Sequence, residues 1–187
     1  MKQIHELSVE ELGRLFPIIL SEPDPQWREI FPSEKIKIEN VLGENKIIRI
    51  EHIGSTAIPG LIAKPTIDIL LEIIDIVENN YIISNLEKID YQFIPKPENP
   101  APNMMFVKGY SPGGFSGQAF HIHVRYRGDW DEVHFRDYLI RHPEIAHEYA
   151  ELKIELAKKY RNNREDYTEG KAGFVKRINS IAKNESI

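Results

Sequence analysis

Apolar residues in this 187-residue chain switch between two spacings, and each switch predicts a change of element. Residues 66–73, TIDILLEI, are apolar except for Thr66, Asp68 and Glu72. A run of this kind, entered through Pro65, reads as a strand buried on both faces. Just upstream, residues 47–52 form a polar-ended strand, and a Gly54-Ser55 turn separates the two. Residues 120–126, FHIHVRY, alternate strictly. Phe120, Ile122 and Val124 fall on one face and His121, His123 and Arg125 on the other. Residues 91–94 and 104–107 read as two further strands.

Helical spacing governs the rest. Ser8 and Glu11 make a capping box, with Leu7 and Leu12 as its hydrophobic staple, so a first helix starts there. Asp24-Pro25 reads as N-cap and first residue of a second helix. Trp27, Ile30, Phe31, Ile38, Val41 and Leu42 give that helix its apolar side, and Pro32 is placed to kink it. Residues 79–88 read as a third. Three helical segments close the chain, marked by Val133, Phe135, Leu139 and His142, by Tyr149, Leu152, Leu156 and Tyr160, and by Phe174, Ile178 and Ile181. Residues 96–102 hold three prolines and read as a loop. Residues 109–117, GYSPGGFSG, read as a long hairpin loop, or alternatively as a mobile flap. These elements predict an α+β fold with a mixed sheet flanked by helices. No repeat or linker divides the chain, so residues 1–187 are read as one domain, with helix 8–16 as an extension.

Composition narrows the chemistry. The chain contains no cysteine, so a metal would have to be held by His, Asp or Glu. Net charge is −5, which argues against a general nucleic-acid binder. The local basic group Lys158, Lys159, Arg161 and Arg164 reads as a solvated helix end. The first residues lack the apolar run of a signal peptide, and no stretch is long enough to span a bilayer. The expected location is the cytoplasm, with no membrane partner.

Asp68 stands out because a carboxylate inside an apolar strand is costly unless it is paired, hydrogen-bonded or bound to metal. His121 and His123, two residues apart on one strand face, offer two neutral nitrogens to one ion, and Arg125 beside them could meet a phosphate or carboxylate. Each has a plainer reading. Asp68 could be tied to backbone N–H groups or to Lys64, and the histidines could simply line a solvated strand face. Glu72 reads as a solvated strand end, His52 as a satisfied polar cap, and Trp27 and Trp130 as packing residues.

The segments His52-Ile53-Gly54-Ser55-Thr56, Pro59-Gly60-Leu61, Ala63-Lys64-Pro65 and Asp68-Ile69 resemble the GrpB family. Support comes from His121-Ile122-His123-Val124, Phe135-Arg136-Asp137-Tyr138-Leu139 and Tyr167-Thr168-Glu169-Gly170-Lys171. The resemblance runs over about residues 18–180 and implies a nucleotidyltransferase-like fold, in a family without a settled activity. In that superfamily a Gly-Ser turn precedes two acids one residue apart that hold divalent metal against a nucleotide. Here the first acid is Asp68 and the second position is Leu70. Glu72 cannot replace it, because four residues of strand span about 13 Å, whereas paired metals sit ~3.5–4 Å apart.

With the two groups joined, Asp68, His121 and His123 are expected to come from neighbouring strands, face one cleft and hold a divalent metal, Mg, Mn or Zn. The resemblance implies that the His-x-His strand lies near where nucleotidyltransferases carry a third acid. Gly54 and Ser55 would offer N–H groups and a hydroxyl to phosphate. Lys64, Arg125 and Arg136 are the cationic ligand-binding candidates, and Lys171 a further one. Arg136 alternatively pairs with Asp137. Three functions compete: metal-dependent nucleotidyl or phosphoryl transfer, a nucleotide- or phosphometabolite-binding module that has lost catalysis with the second acid, and a His-based metal-dependent hydrolase or transferase.

Overall fold

A computed structural model describes residues 7–185. The chain runs α1 (Val9–Leu15), α2 (Gln26–Leu42), β1 (Ile47–Ile53), β2 (Thr66–Ile73), α3 (Asn79–Glu87), β3 (Gln92–Pro95), β4 (Met104–Ser111), β5 (Gly114–Arg125), α4 (Asp131–Arg141), α5 (Pro143–Lys159) and α6 (Arg164–Glu185). Local chemistry sets several of these ends. Both halves of the Ser8–Glu11 capping box form. Asp24 Oδ1 accepts from Gln26 N–H at 2.9 Å, so that side chain covers an otherwise unpaired donor where α2 begins. Pro32 lies inside α2.

The five strands form one mixed sheet in the order β1-β2-β5-β4-β3. β2 and β5 are parallel, and the remaining neighbours are antiparallel. Alternation then sorts the side chains. Ile67, Ile69, Leu71, Phe120, Ile122 and Val124 pack with Trp27, Ile38, Leu42, Ile82 and Leu86, which bring α2 and α3 onto one face. A second apolar cluster joins α4, α5 and α6 to the turn after β1, through Phe135, Leu139, Tyr149, Ile178, Ile58 and Leu61. Asp68, His121 and His123 lie on the sheet face opposite α2. Among the described residues no helix is long and apolar enough to cross a membrane.

Two sequence expectations change here. Residues 109–117 form most of a hairpin arm instead of a loop or flap, because β4 and β5 stay paired through Tyr110↔Phe115 and Ser111↔Gly114. Only Pro112 and Gly113 turn. The glycine that suggested a loop marks an irregularity in the ladder instead. Gly109 has φ +85°, and a Cβ there would lie 2.3 Å from Gln118 O, at the register shift between Lys108 and Tyr110. Glu72 is buried, not solvated, at 2% exposure. Its carboxylate accepts from Arg49 Nε at 2.6 Å, Trp130 Nε1 at 2.5 Å and Gly128 N–H at 3.0 Å. That network offsets the cost of burying the charge and pins the segment between β5 and α4 to the sheet.

Candidate metal and anion site

Strand register builds the centre of the site. Ile53 pairs with Asp68 across β1 and β2, so the chain leaves β1 directly over the acid. It turns at Gly54, with φ +72°, where a Cβ would lie 2.5 Å from Asp68 Oδ2. Only a residue without a side chain fits both demands. On the other side of β2, the parallel register pairs Asp68 with His121 and Leu70 with His123. Asp68 Oδ1 therefore lies 3.1 Å from His121 Nδ1 and 3.7 Å from His123 Nε2. One ligand atom from each of the three residues falls within 4.8 Å of the others.

Tyr110 completes this group. Its hydroxyl is 2.7 Å from His121 Nε2, and the two rings stack at 5.6 Å. His121 is thus oriented with Nδ1 toward Asp68 by a partner on its other nitrogen, as metal-binding imidazoles commonly are. Burial works to raise the Asp68 carboxyl, but hydrogen bonds and charge from His121 and His123 outweigh it and hold the group well below the usual carboxylate range. Burial lowers His121, and Asp68 opposes that only partly. An ionised carboxylate is what metal binding needs from Asp68, and an ion bound there would displace any proton shared with the imidazoles. One carboxylate and two imidazoles suit a single borderline ion such as Zn²⁺ better than Mg²⁺, which favours oxygen ligands. Leu70 is fully buried and supplies no donor for a second ion.

Cations surround this acid. Lys153, on α5, is 2% exposed. Its Nζ donates to Ser55 Oγ at 3.2 Å and to Ile62 O, and sits over the Tyr149 ring. Burial, reinforced by the charges of Lys171 and Lys64, pushes it down to about 7. Lys64 also falls to about 7, through burial and the charges of Arg164 and Lys171. Lys171 is lowered by burial too, although Asp68 opposes the shift. Lys64 and Lys171 both sit over the Tyr167 ring, and Arg164 donates to Phe16 O. Among the described residues, the direct contacts of these four cations are to hydroxyls, carbonyls and rings, not to carboxylates.

Asp68, His123, Gly54, Ser55 and Lys171 open into one cleft of about 760 Å³, whose wall also carries Asp129, Asp131 and Glu132. Lys64 and Arg164 line a separate cavity of about 360 Å³. Trp130, Phe135 and Tyr149 line its apolar part. The N–H groups of Ser55 and Thr56 are not used by the bonds that close the turn, which run from Ala57 to Gly54 and from Ile58 to Ser55.

Two expected members of the site lie elsewhere. Arg125 shares the histidine face, but it is four residues along from His121 and 3% exposed. Its guanidinium meets Val124 O at 2.9 Å, Glu132 at 3.4 Å and the Trp130 ring. Period two fixed its face and said nothing of its distance along the strand. Arg136 binds Glu51 Oε2 at 2.7 Å, His52 O at 2.8 Å and Asp137 at 2.7 Å, joining α4 to β1. His52 is structural. It stacks on Phe31 and contacts Thr56 Oγ1 at 3.0 Å, and burial holds it neutral by lowering it to about 4. Lys153, Tyr110, Tyr167 and Arg164 were not singled out as site residues from sequence. Lys153 occupies a position between Leu152 and Leu156 that helical spacing assigns to an ordinary polar flank.

Comparison with known proteins agrees with this architecture. A family model described as "GrpB protein" matches residues 17–180. The chain is 43% identical over 157 residues to a Pseudomonas aeruginosa protein named only as UPF0157, covering 83% of this chain and 63% of that protein. It is 32% identical over 164 residues to the glutamate-rich protein GrpB of Alkalihalophilus pseudofirmus, covering 86% of this chain and 93% of that one. The crystal structure of the conserved protein GrpB from Enterococcus faecalis superposes with a TM-score of 0.78 at 29% identity, covering 90% of this chain and 99% of that one.

Proposed function

We propose that this chain, which belongs to the GrpB family, binds a phosphorylated small molecule in its cleft and acts on a phosphate with one divalent cation. The observation that carries this reading is the pairing of a three-donor cluster with Lys171 in the cleft and the buried Lys64 and Lys153 near it, none of which makes a direct ion pair with a carboxylate among the described residues. Asp68 is the carboxylate that favours the charged forms of Lys64 and Lys171, and buried cations so thinly compensated are costly unless a ligand supplies counter-charge. A phosphate-rich molecule does so, and the free N–H groups of the Gly54-Ser55 turn match its oxygens.

Asp68, His121 and His123 would hold the cation, which when bound supplies Lewis-acid charge to phosphate oxygens. Lys171 meets the anion, Lys64 adds positive charge from behind the Tyr167 ring, and Lys153 keeps Ser55 facing the cleft. The aromatic part, Trp130 with Phe135 and Tyr149, is suited to an apolar or ring-bearing body on the same molecule, as in a nucleotide.

The test is calorimetric titration with Mn²⁺, Zn²⁺ and Mg²⁺, followed by nucleotides and pyrophosphate in the presence of the ion that binds. Wild type should take up one ion, with Zn²⁺ bound more tightly than Mg²⁺. Asp68→Asn should lose it. Unchanged metal binding in that variant removes the metal from the site. The buried Leu70 favours a second reading, a binding module without turnover. Saturable nucleotide binding with no release of phosphate or pyrophosphate would select it.

A further inference from the structure

Ser55 and Lys153 form a pair whose chemistry differs from simple anion binding. Ser55 lines the cleft at the start of the turn after β1, next to Gly54 and opposite Asp68. Its Oγ is 3.2 Å from Lys153 Nζ. A lysine that serves only as a structural cation normally reaches solvent or a carboxylate. Lys153 does neither: it is 2% exposed, and its contacts are one hydroxyl, one carbonyl and one aromatic ring.

We propose that Ser55 is a nucleophile and Lys153 its general base, so that a phosphoryl group from the cleft ligand passes through a covalent phosphoserine. The step balances without a further reagent. Ser55 Oγ forms a bond to phosphorus while the bond from phosphorus to the leaving oxygen breaks. Lys153 Nζ takes the Ser55 proton and returns it to the leaving oxygen. Water or an acceptor hydroxyl then forms a bond to phosphorus as the bond from phosphorus to Ser55 Oγ breaks, and its proton passes through Lys153 Nζ to Ser55 Oγ, restoring the serine. This assignment rests on the reading of the cleft as a phosphate site.

Electrostatics favour the role. The groups facing Lys153 are Ser55, the Tyr149 ring, and the cations Lys171 and Lys64. Burial and those two charges lower the ammonium to about 7, so a large fraction is neutral, with a lone pair available, at neutral pH. Burial raises the Tyr149 hydroxyl, which therefore stays protonated and does not compete as base. Serine activated by neutral lysine is an established alternative to the serine–histidine pair. The unused N–H groups of Ser55 and Thr56 lie at the same turn, where charge develops on the transferred group.

The experiment is reaction of the purified protein with a fluorophosphonate, in chelator and without any nucleotide, read by mass spectrometry of the peptide carrying Ser55. Phosphorus–fluorine cleavage reports the nucleophile directly and needs no metal. Wild type should become labelled at Ser55, at a rate that rises with pH through about 7, and pyrophosphate should protect it. Lys153→Arg keeps the cation and its donors but cannot take a proton, so it should fold, retain metal binding and label at least ~100-fold more slowly, the lower end of what general-base catalysis typically contributes. Ser55→Ala should not label. An unlabelled wild type, or a Lys153→Arg protein labelled at the wild-type rate, overturns the assignment. Metal titration of the same samples reads the Asp68 cluster separately, so either idea can fail without the other.

Discussion

Gly54 and Asp68 are packed so closely that a methyl group on the glycine would meet the carboxylate at 2.5 Å. The turn and the acid therefore constrain each other, and neither can change without moving the other. Gly54 also has φ +72°, so Gly54→Ala meets backbone strain and a side-chain clash together. We expect a loss of about 1–3 kcal/mol in stability, measured by urea unfolding. Divalent-metal binding should weaken more than that loss accounts for, because the clash displaces Asp68 Oδ2. A variant with normal metal affinity would show that the carboxylate does not need this position.

Tyr110 touches His121 and none of the other proposed metal donors. Tyr110→Phe keeps the ring stacked and removes only the oxygen at His121 Nε2. Metal affinity should fall at least ~10-fold, as with other lost partners of ligating histidines, while the far-UV circular dichroism spectrum stays the same. An unaltered titration would mean that His121 keeps its orientation through packing alone.

Glu72 holds Arg49, Trp130 and Gly128 N–H at once. Glu72→Gln halves the acceptor capacity and leaves Arg49 without its counter-charge, for an expected cost of about 3 kcal/mol. Trp130 lines the cleft, so ligand affinity should drop as well. Thermal melts and tryptophan fluorescence of the variant would report both effects.

The depressed lysines predict a proton linkage. Lys64 and Lys153 fall from 10.5 to about 7 on folding. Between pH 7 and 10.5 the unfolded chain therefore binds more protons than the folded one, and stability rises with pH across that window. An anion in the cleft favours the charged forms of Lys171, which lines it, and of nearby Lys64, and reverses their shifts. At pH 8, pyrophosphate binding should take up about one proton or more per protein, seen as a buffer-dependent heat in calorimetry. Lys64→Met should reduce both the uptake and the rise of stability with pH. Binding with no buffer dependence would place pyrophosphate away from these lysines.

The sequence made part of this site visible, for identifiable reasons. Asp68 interrupts an apolar run and His121 and His123 share a strand phase, so composition and period two mark them as candidates, and the resemblance to the GrpB family tips the histidines toward a site. Bringing them together needed the parallel register Asp68↔His121, which no local pattern encodes. The same limit explains Arg125, whose face was right and whose place along the strand was not. Lys153 reaches Ser55 from 98 residues away and has no local mark beyond its charge. Tyr110 lay inside a glycine-rich stretch that reads as a loop, because a β-bulge and a loop both demand glycine. Glu72 looked like a strand end because its partners, Arg49, Gly128 and Trp130, are distant in the chain.

Asp68 and His121 stand 53 residues apart in the chain and meet only across the central parallel pair of strands. Before those strands join, an ion finds little more than the short bite of two imidazoles on one segment. An ion bound as proposed would therefore not template this architecture from the outset; it would reward the finished sheet. Occupancy of the trio would then be a gauge of assembly, with the melting temperature expected to climb as the ion saturates and to slide back when a chelator strips it away.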